Sequence, residues 1–268
     1  MALIRNTTTT IAVVCPTFNS QEFIERTLRS VFSQTISIDE IIVSDDGSTD
    51  DTLTTVERVF FEYSGSAKCR ILKNAHSGPG ASRNKGILKV KSSWVAFIDS
   101  DDTWEENKIE KVLQVIYENP NINFICHNEY RININQKKSV IDCSSRYNPT
   151  KSIVTQLYWS NLFSTSAVTC KHSLLIDKGI FDEDLMSIQD YELWLRISPY
   201  IQVFFISEIL GTYIERKGNI TSNNTIKRFV NEFITLYRHH QLVPIALVAV
   251  RILRLVLSHI YHLFRKFI

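Results

Sequence analysis

The sequence lacks the features that mark disulfide-bonded, zinc-binding and membrane-spanning proteins. Its five cysteines are scattered and odd in number, and no C-x-x-C pair occurs among the 268 residues. A disulfide framework or a structural zinc site is therefore not expected, and a reducing cytosol fits best. No run of about 18 uncharged apolar residues is present, so a transmembrane span is not predicted. A basic region followed by a long apolar run is also missing, so no secretion signal is expected.

Several catalytic motifs are absent as well. There is no Gly-x-Ser-x-Gly and no Cys/His nucleophile context, so acyl-transfer chemistry has no support. The glycine-rich turn at residues 78–80 lacks the third glycine of a dinucleotide fingerprint and the Lys-Ser/Thr of a P-loop. The seven histidines show no metal-ligand spacing with cysteine or glutamate. The chain is otherwise ordinary for a globular protein, with 44% hydrophobic and 22% charged residues.

The net charge of +2 is unevenly distributed along the chain. Residues 225–268 contain seven basic residues and one acid, Glu232, which gives this segment a net charge of +6. The preceding 224 residues contain 23 basic and 27 acidic residues, a net charge of −4. A basic, apolar tail on a mildly acidic body indicates an anionic partner surface for the tail.

Short apolar runs alternate with helical patterns, which predicts an α/β protein. Runs of three to five apolar residues that are joined by helices are typical of parallel strands buried on both faces. We therefore expect a doubly wound, mostly parallel sheet flanked by helices. The predicted strands are 11–15, 41–43, 70–72, 94–98, 123–126, 167–170 and 203–206. The predicted helices are 22–32, one that begins at Asp50, 78–90, 105–117, 153–159 and 189–197.

Polar segments follow three of these strands, where a parallel sheet binds its ligands. Five carboxylates in these segments should converge on one crevice: Asp45, Asp46, Asp99, Asp101 and Asp102. Close like charges repel, so a cation is the natural neutraliser, and oxygen ligands suit Mg²⁺ or Mn²⁺. Each motif alone could be a turn or a helix N-cap. Their occurrence on successive strand ends is much harder to explain by chance.

The chain resembles the family 2 glycosyltransferases, which have the GT-A fold. The resemblance covers residues 11 to about 200 and keeps the family's order and spacing. It is carried by Val14-Cys-Pro-Thr-Phe-Asn19, Asp45-Asp-Gly-Ser-Thr-Asp50, Gly78-Pro-Gly-Ala-Ser-Arg-Asn-Lys-Gly86 and Phe97-Ile-Asp-Ser-Asp-Asp102. Together these motifs are specific for the family, but they say little about which sugar is moved.

The resemblance implies a role for each residue of the donor site. Phe18 would stack beside the uracil of a nucleotide sugar, with Pro16, Thr17 and Asn19 in the same pocket. Asp46 would accept a hydrogen bond from the uracil imide, because a carboxylate offers acceptors alone.

Other residues are implied to meet the sugar diphosphate and its metal ion. Arg83 would lie near the donor phosphates, although a structural ion pair is an equal alternative. Asp99 would reach the ribose or a metal-bound water, and Asp101 would bind Mn²⁺ or Mg²⁺. The additional Asp102 leaves this assignment open by one residue.

The resemblance also implies a general base near the start of a later helix. The family places this base on the second residue of a Glu-Asp pair, which carries over to Asp190, although Gln189 replaces the usual glutamate. A plain helix N-cap is the alternative for Asp190, and Glu192 is the second candidate base. The Gln-x-x-Arg-Trp signature of processive members is absent, which argues against a polymer synthase.

The segment 244–268 is predicted to be an amphipathic helix. Its basic stripe, Arg251, Arg254, Ser258, His262 and Arg265, lies beside a broad apolar face. This pattern suits a helix that lies in a membrane interface. Packing against the catalytic domain or a second copy of the chain is the alternative.

Together these inferences predict a catalytic domain over 1–224, with a donor half at about 11–102 and an acceptor half at about 103–224, and a basic helical extension over 225–268. The expected enzyme is an inverting, metal-dependent hexosyltransferase that uses a UDP-sugar. Its expected acceptor is a lipid-linked bacterial surface glycan, as in O-antigen, capsule or lipooligosaccharide synthesis, and its expected location is the inner face of the cell membrane. No nucleic-acid partner is expected, and a homodimer stays open. The alternatives are a nucleotide-sugar binding protein that has lost activity, or a nucleotidyltransferase.

Overall fold

The computed structural model describes residues 9–185, 187–216 and 225–264. Strands and helices alternate through the first half, as the apolar runs predict. The first half contains β1 (Ile11–Thr17), α1 (Ile24–Phe32), β2 (Glu40–Asp45), α2 (Thr52–Glu62), β3 (Lys68–Lys73), α3 (Pro79–Ile87), β4 (Trp94–Phe97), β5 (Thr103–Trp104) and α4 (Lys108–Glu118). The second half contains β6 (Phe124–Ile132), β7 (Lys138–Ile141), α5 (Cys143–Arg146), α6 (Ile153–Trp159), β8 (Val168–Lys171), α7 (His172–Lys178), α8 (Gln189–Ile197), β9 (Val203–Ile214), α9 (Thr225–Arg238) and α10 (Ile245–Phe264).

The described strands form one mixed sheet in the order β3-β2-β1-β4-β8-β6-β9-β5, and β7 pairs with β6. The strands β3, β2, β1 and β4 are parallel, which confirms the predicted doubly wound first half. The strand β8 runs antiparallel to both β4 and β6, so the second half departs from a uniform parallel sheet. The carboxyl ends of β1, β2 and β4 meet at one edge, as expected for this topology.

The central strands are buried on both faces because helices cover each side of the sheet. All seven residues of β1 are buried, and their side chains alternate between two apolar cores. Ala12 and Val14 face the core that contains Phe97 and Trp194, whereas Val13 faces the core that contains Leu28. This two-sided burial explains why β1 is apolar from Ile11 to Pro16 rather than alternating with polar residues.

The helix α10 turns an unexpected face to the protein. Its buried residues are Val248, Arg251 and Leu255, and Arg251 forms an ion pair with Glu232 of α9. The prediction that Arg251 belongs to an outward basic stripe is therefore wrong, because an acid on the neighbouring helix pairs with it. Arg265 of that stripe lies outside the described residues.

The opposite face of α10 is apolar and exposed. Its exposed large apolar residues are Ile245, Val250, Leu253, Leu257, Ile260 and Tyr261. The helix α9 also exposes apolar residues at a helical spacing, namely Ile226, Val230, Phe233 and Tyr237. In the part of the chain that the structure describes, no helix is long and apolar enough to cross a membrane.

Candidate functional site

The turn after β2 is built by Asp45. Its Oδ2 atom accepts hydrogen bonds from the backbone N–H groups of Gly47 at 3.1 Å and Ser48 at 2.9 Å. Its Oδ1 atom accepts from the hydroxyl of Thr17 at 3.0 Å, which ties the end of β1 to that of β2. Gly47 has a φ of +81°, a backbone conformation that favours glycine. Asp45 and Thr17 are buried, so they shape the pocket from beneath it.

Asp46 joins the same turn to the loop before α3. Its Oδ1 atom accepts from the N–H of Ser77 at 2.9 Å, and its Oδ2 atom accepts from the N–H of Gly78 at 2.9 Å. Gly78 has a φ of +95°, so the Gly-Pro-Gly turn presents this N–H to the carboxylate. His76 lies with its Nδ1 atom 2.8 Å from Oδ2. A carboxylate oxygen can accept two hydrogen bonds, so Oδ1 retains capacity for a further donor.

Phe18 and His76 form an exposed aromatic pair, and His76 joins this pair to Asp46. Their ring centroids are 4.4 Å apart with an interplanar angle of 29°, and Phe18 is 41% exposed. Asn19, next to Phe18, accepts from the N–H of Thr49 at 2.9 Å through its side-chain oxygen. Pro16, two residues before Phe18, is buried in β1. An exposed aromatic pair beside a hydrogen-bonding carboxylate is suited to a flat, polar ligand such as a nucleobase.

Arg83 and Asp99 form an ion pair across the crevice. The Arg83 guanidinium lies beneath the surface and donates to Asp99 Oδ1 at 2.5 Å, whereas the Asp99 side chain is about one third exposed. The Nε and Nη1 atoms of Arg83 are buried without a hydrogen-bond partner among the described residues. The predicted alternatives for Arg83, a structural ion pair or a phosphate contact, therefore both have a structural basis.

Asp101 pairs with Arg216, which follows the end of β9. The Arg216 Nε atom donates to Asp101 Oδ2 at 2.6 Å, and the guanidinium lies 4.9 Å from the ring centroid of Phe23. Burial and the nearby charge of Asp99 raise the pKa of Asp101 above its ordinary value, although Arg216 opposes this shift. The two outer carboxylates of the D-x-D motif therefore lie close enough to interact.

Asp102 is buried, and both of its carboxylate oxygens are bound within the protein. Its Oδ1 atom accepts from the N–H of Ile214 at 3.0 Å, and its Oδ2 atom accepts from the hydroxyl of Ser166 at 2.5 Å. Burial, followed by the charges of Asp101 and Asp99, raises the pKa of Asp102 well above its ordinary value. Asp102 is therefore an internal anchor, whereas the side chains of Asp99 and Asp101 are 32% and 12% exposed.

The carboxylates of Asp99 and Asp101 fit a hard divalent cation in part. Mg²⁺ in substrate complexes is commonly bound by one or two carboxylates together with substrate phosphates and waters. No group of three or more His, Cys, Asp or Glu side chains in the described ranges is arranged to hold a metal by itself. The donor set is therefore compatible with a cation that arrives with a diphosphate, rather than with a closed structural metal site.

Asp190 lies at the start of α8 and within electrostatic reach of the same crevice. Burial raises the pKa of Asp190 above its ordinary value, the charge of Arg83 opposes this, and the charge of Asp99 adds to it. The hydroxyl of Thr165 lies 3.4 Å from Asp190 Oδ2. Ile188, two residues earlier, has a φ of +57°, which is rare for a β-branched residue. A raised pKa and partial exposure are properties of a general base that must be reached by a substrate.

Glu192, the second candidate base, is bound elsewhere. It forms an ion pair with Arg196 at 3.0 Å, His239 Nε2 lies 2.9 Å from its Oε1 atom, and its side chain is buried. Burial raises the pKa of Glu192, but the hydrogen bonds from His239 and Arg196 outweigh it and bring the pKa below its ordinary value. Gln189 packs beside α3, since a Cβ atom added at Gly80 would lie 3.5 Å from Gln189 Cγ.

Three residues in this site were missed by the sequence reasoning: His76, Ser166 and Arg216. His76 and Ser166 lie outside the motifs that carry the resemblance, and Arg216 lies more than a hundred residues after its partner Asp101. A signal existed for His76 alone, because it lies two residues before the Gly-Pro-Gly turn. Ser166 and Arg216 lie far from the aspartates in the sequence, and only the fold brings them together.

The solved structures that this fold matches have the GT-A fold, so the chain has that fold as well. Residues 12–183 match the family model described as "Glycosyl transferase family 2". The chain therefore belongs to glycosyltransferase family 2, as the strand-end motifs predict.

Relatives and solved structures agree with this classification. The chain is 28% identical over 220 residues, 80% of each chain, to the Escherichia coli protein "UDP-Glc:alpha-D-GlcNAc-diphosphoundecaprenol beta-1,3-glucosyltransferase WfgD". The structure of S. aureus TarS 1-349 in complex with UDP-GlcNAc matches with a TM-score of 0.67 and 21% identity, over 91% of this chain and 67% of that one. The mannosyltransferase PcManGT from Pyrobaculum calidifontis, in complex with GDP-Man and Mn²⁺, matches with a TM-score of 0.67 and 16% identity, over 86% and 64%. Some other relatives are longer, and this chain spans 30% of their length.

Proposed function

We propose that this glycosyltransferase moves one hexose or N-acetylhexosamine from a UDP-sugar to a hydroxyl group of an acceptor glycan, with inversion at the anomeric carbon. The observation that carries this proposal is geometric. The side chain of the candidate base, Asp190, is partly exposed and lies 3.4 Å from the hydroxyl of Thr165. The next residue, Ser166, accepts from the backbone N–H of Asp99 at 3.0 Å, so one turn contacts both the candidate base and the D-x-D loop. The named donor of WfgD and the ligand of TarS support a UDP-sugar for this chain.

The donor nucleoside would bind at the exposed aromatic pair. The uracil ring would stack on Phe18, and its imide N–H would donate to Asp46 Oδ1, the oxygen with remaining acceptor capacity. Base stacking on an aromatic side chain contributes about 1–3 kcal/mol. Pro16, Thr17 and Asn19 would hold the strand end that presents Phe18.

Asp190 would act as the general base. It would accept the proton of the acceptor hydroxyl as that oxygen attacks the anomeric carbon. The bond from this carbon to the diphosphate oxygen would break, and its electron pair would leave with UDP. The burial that raises the pKa of Asp190 makes it a stronger base than an exposed aspartate.

Two carboxylates, through a bound cation, and two arginines would neutralise the charge of the diphosphate. Asp99 and Asp101 would hold a divalent cation, Mn²⁺ or Mg²⁺, which supplies positive charge against the leaving diphosphate when it is bound. Arg83, with two buried nitrogen atoms that lack partners among the described residues, would donate to a phosphate oxygen. Arg216 would leave Asp101 and bind the diphosphate. The cation would then neutralise Asp101, and the diphosphate would neutralise Arg216.

A test of the chemistry is transfer assayed with a panel of UDP-sugars and GDP-mannose, each with Mn²⁺ and with EDTA. We expect UDP release with one UDP-sugar in the presence of Mn²⁺ and a product of inverted anomeric configuration by NMR. Full activity in EDTA would contradict the metal role, and release of pyrophosphate would identify a nucleotidyltransferase. Binding of UDP without transfer to any acceptor would indicate a binding protein.

We also propose that the acceptor is lipid-linked and that α10 holds the enzyme on the inner face of the cell membrane. The exposed face of α10 is apolar, and Arg254, which lies over Trp159 with its guanidinium 4.6 Å from the ring centroid, is an exposed cation on the same helix. Such a helix suits the boundary between lipid headgroups and acyl chains. The named acceptor of WfgD, a diphosphoundecaprenol glycan, supports a lipid-linked substrate.

Vesicle flotation tests this second proposal. The variant with Leu253→Ser and Leu257→Ser should lose binding to vesicles that contain anionic lipid, because both side chains are exposed on α10. The matched control is Phe61→Ser, which removes an exposed aromatic residue from α2 and should bind as the wild type does. If the wild type ignores the vesicles and is dimeric by light scattering, and the double variant is monomeric, then α10 binds a second copy instead.

A further inference from the structure

Ser166 lies beneath the D-x-D loop and contacts it at two points. Its Oγ atom accepts from the backbone N–H of Asp99 at 3.0 Å and donates to Asp102 Oδ2 at 2.5 Å. Ser166 is 1% exposed and belongs to a single 3₁₀ turn, Thr165–Ala167, that precedes β8. One buried hydroxyl therefore fixes both the first and the last aspartate of the loop.

The backbone of Ser166 is itself held in place. Its carbonyl oxygen accepts from Trp104 Nε1 at 2.9 Å and from Lys108 Nζ at 3.0 Å, and both donors are buried. Lys108 also lies over the Trp104 ring, 3.4 Å from its centroid. A carbonyl that accepts from two buried donors leaves the 3₁₀ turn little freedom to shift.

The neighbouring residue, Thr165, faces the other side of the crevice. Its hydroxyl lies 3.4 Å from Asp190 Oδ2. Two consecutive residues therefore contact the candidate metal loop and the candidate base. The hydrogen bond from Ile214 N–H to Asp102 Oδ1 brings the end of β9, two residues before Arg216, into the same network.

We propose that Thr165 and Ser166 are positioning residues. Ser166 sets the position of the loop that carries Asp99 and Asp101 through its hydrogen bonds to Asp99 and Asp102, and Thr165 sets the position of Asp190. This inference depends on the proposed function for the meaning of the aspartates. It assigns no chemistry to the turn itself. The 3₁₀ turn holds the donor side and the acceptor side of the crevice at a fixed separation.

The expected consequences of the two substitutions differ. Ser166→Ala removes the acceptor of the Asp99 N–H and the donor to Asp102, so the loop should loosen and cation affinity should fall by about 10–100-fold, as for other residues that support metal ligands. Thr165→Val removes only the contact with Asp190. It should lower kcat several-fold and leave cation affinity unchanged.

The test measures Mn²⁺ binding by electron paramagnetic resonance, with Mn²⁺ alone and with Mn²⁺ plus UDP, on the full chain. Amide exchange at Asp99 is measured in parallel by NMR and should accelerate at least tenfold in Ser166→Ala. The matched control is Thr169→Val in β8, because Thr169 is buried and its hydroxyl lacks a partner among the described residues. This control should change neither readout.

A second variant keeps the test decisive if Ser166→Ala does not fold. Asp102→Asn is nearly isosteric and should also weaken Mn²⁺ binding. Because both residues act on one hydrogen bond, the double variant should lose less Mn²⁺ affinity than the sum of the two single losses. If Mn²⁺ affinity and Asp99 amide exchange are unchanged in both Ser166→Ala and Asp102→Asn, the positioning role of Ser166 is overturned. If the wild type binds no Mn²⁺, the metal part of the proposed function fails, and the exchange rate at Asp99 still decides whether Ser166 positions the loop.

Discussion

Replacement of Asp190 by asparagine tests whether Asp190 acts as a general base or has only a structural role. Asparagine keeps the size and hydrogen bonding of the side chain but cannot accept the proton. Loss of one general base typically lowers the rate by ~10²–10⁴, which corresponds to about 2.7–5.4 kcal/mol in the activation free energy. We expect a loss of kcat in this range for Asp190→Asn, with little change in UDP affinity.

The pKa of Asp190 adds a second expectation, for stability. Because the pKa is raised in the folded protein, folding favours the protonated form and ionised Asp190 costs free energy at neutral pH. Asp190→Asn should therefore leave Tm at pH 7 unchanged or raise it. In the wild type, kcat should fall as the pH drops through the raised pKa, above the range of an ordinary aspartate.

Glu192→Gln is the control for this experiment. Glu192 is buried and is bound by Arg196 and His239, and the loss of its charged hydrogen bonds should cost about 1.5–3 kcal/mol. At ~2–4 °C per kcal/mol, Tm should fall by about 3–12 °C. Since the pKa of Glu192 is lowered, its stabilisation is present above the unfolded pKa and is lost as the pH falls through the folded pKa.

The two variants should therefore give opposite patterns, with kcat lost in Asp190→Asn and stability lost in Glu192→Gln. Turnover is measured by UDP release at a temperature where both variants are folded, and Tm by calorimetry. Turnover at the wild-type level in Asp190→Asn, together with a specific loss of kcat in Glu192→Gln, would refute the assignment and make Glu192 the base.

Four further substitutions test the crevice and the tail. Asp101→Asn should lower transfer by several orders of magnitude. The Tm without metal should be unchanged or higher, because burial and the charge of Asp99 raise the pKa of Asp101 in the folded protein. A clear fall in Tm would contradict this. Arg251→Met should cost about 2 kcal/mol in unfolding free energy, because it removes a buried guanidinium and its charged hydrogen bond to the partly exposed Glu232. Arg254→Met at the surface should cost under about 1 kcal/mol, and equal costs in denaturant titrations would count against the observed packing. Phe18→Ala should raise the donor KM by roughly tenfold without a change in Tm, and an unchanged KM would place the nucleobase elsewhere.

The first half of the fold was predictable from the sequence because its signals are local. A strand buried on both faces is mostly apolar, and glycine is favoured where φ is positive, as at Gly47 and Gly78. These constraints involve neighbouring residues, so β1, β2, β4 and the aspartates that follow β2 and β4 could be predicted from the local sequence. The antiparallel β8 was not predictable in direction, because a short apolar run is the same in either orientation.

The contacts that were missed depend on residues far apart in the chain. Arg251 was assigned to an exposed stripe because its own helix supplies no acid, and the acid that pairs with it, Glu232, lies on α9. The choice between Asp101 and Asp102 stayed open for the same reason. The hydrogen bonds that anchor Asp102 come from Ser166 and from the backbone of Ile214, which no motif identifies.

The charges of the crevice show why a cation and a diphosphate would bind together. Asp99 and Asp101 each have an arginine partner, Arg83 and Arg216, so the carboxylates are already neutralised pair by pair. A cation alone would displace an arginine and leave its charge uncompensated, and a diphosphate alone would meet two carboxylates. The complex of both supplies a positive charge to the carboxylates and a negative charge to the arginines at the same time. Mn²⁺ affinity should therefore be greater with UDP than without it, and equal affinities would contradict this exchange of partners.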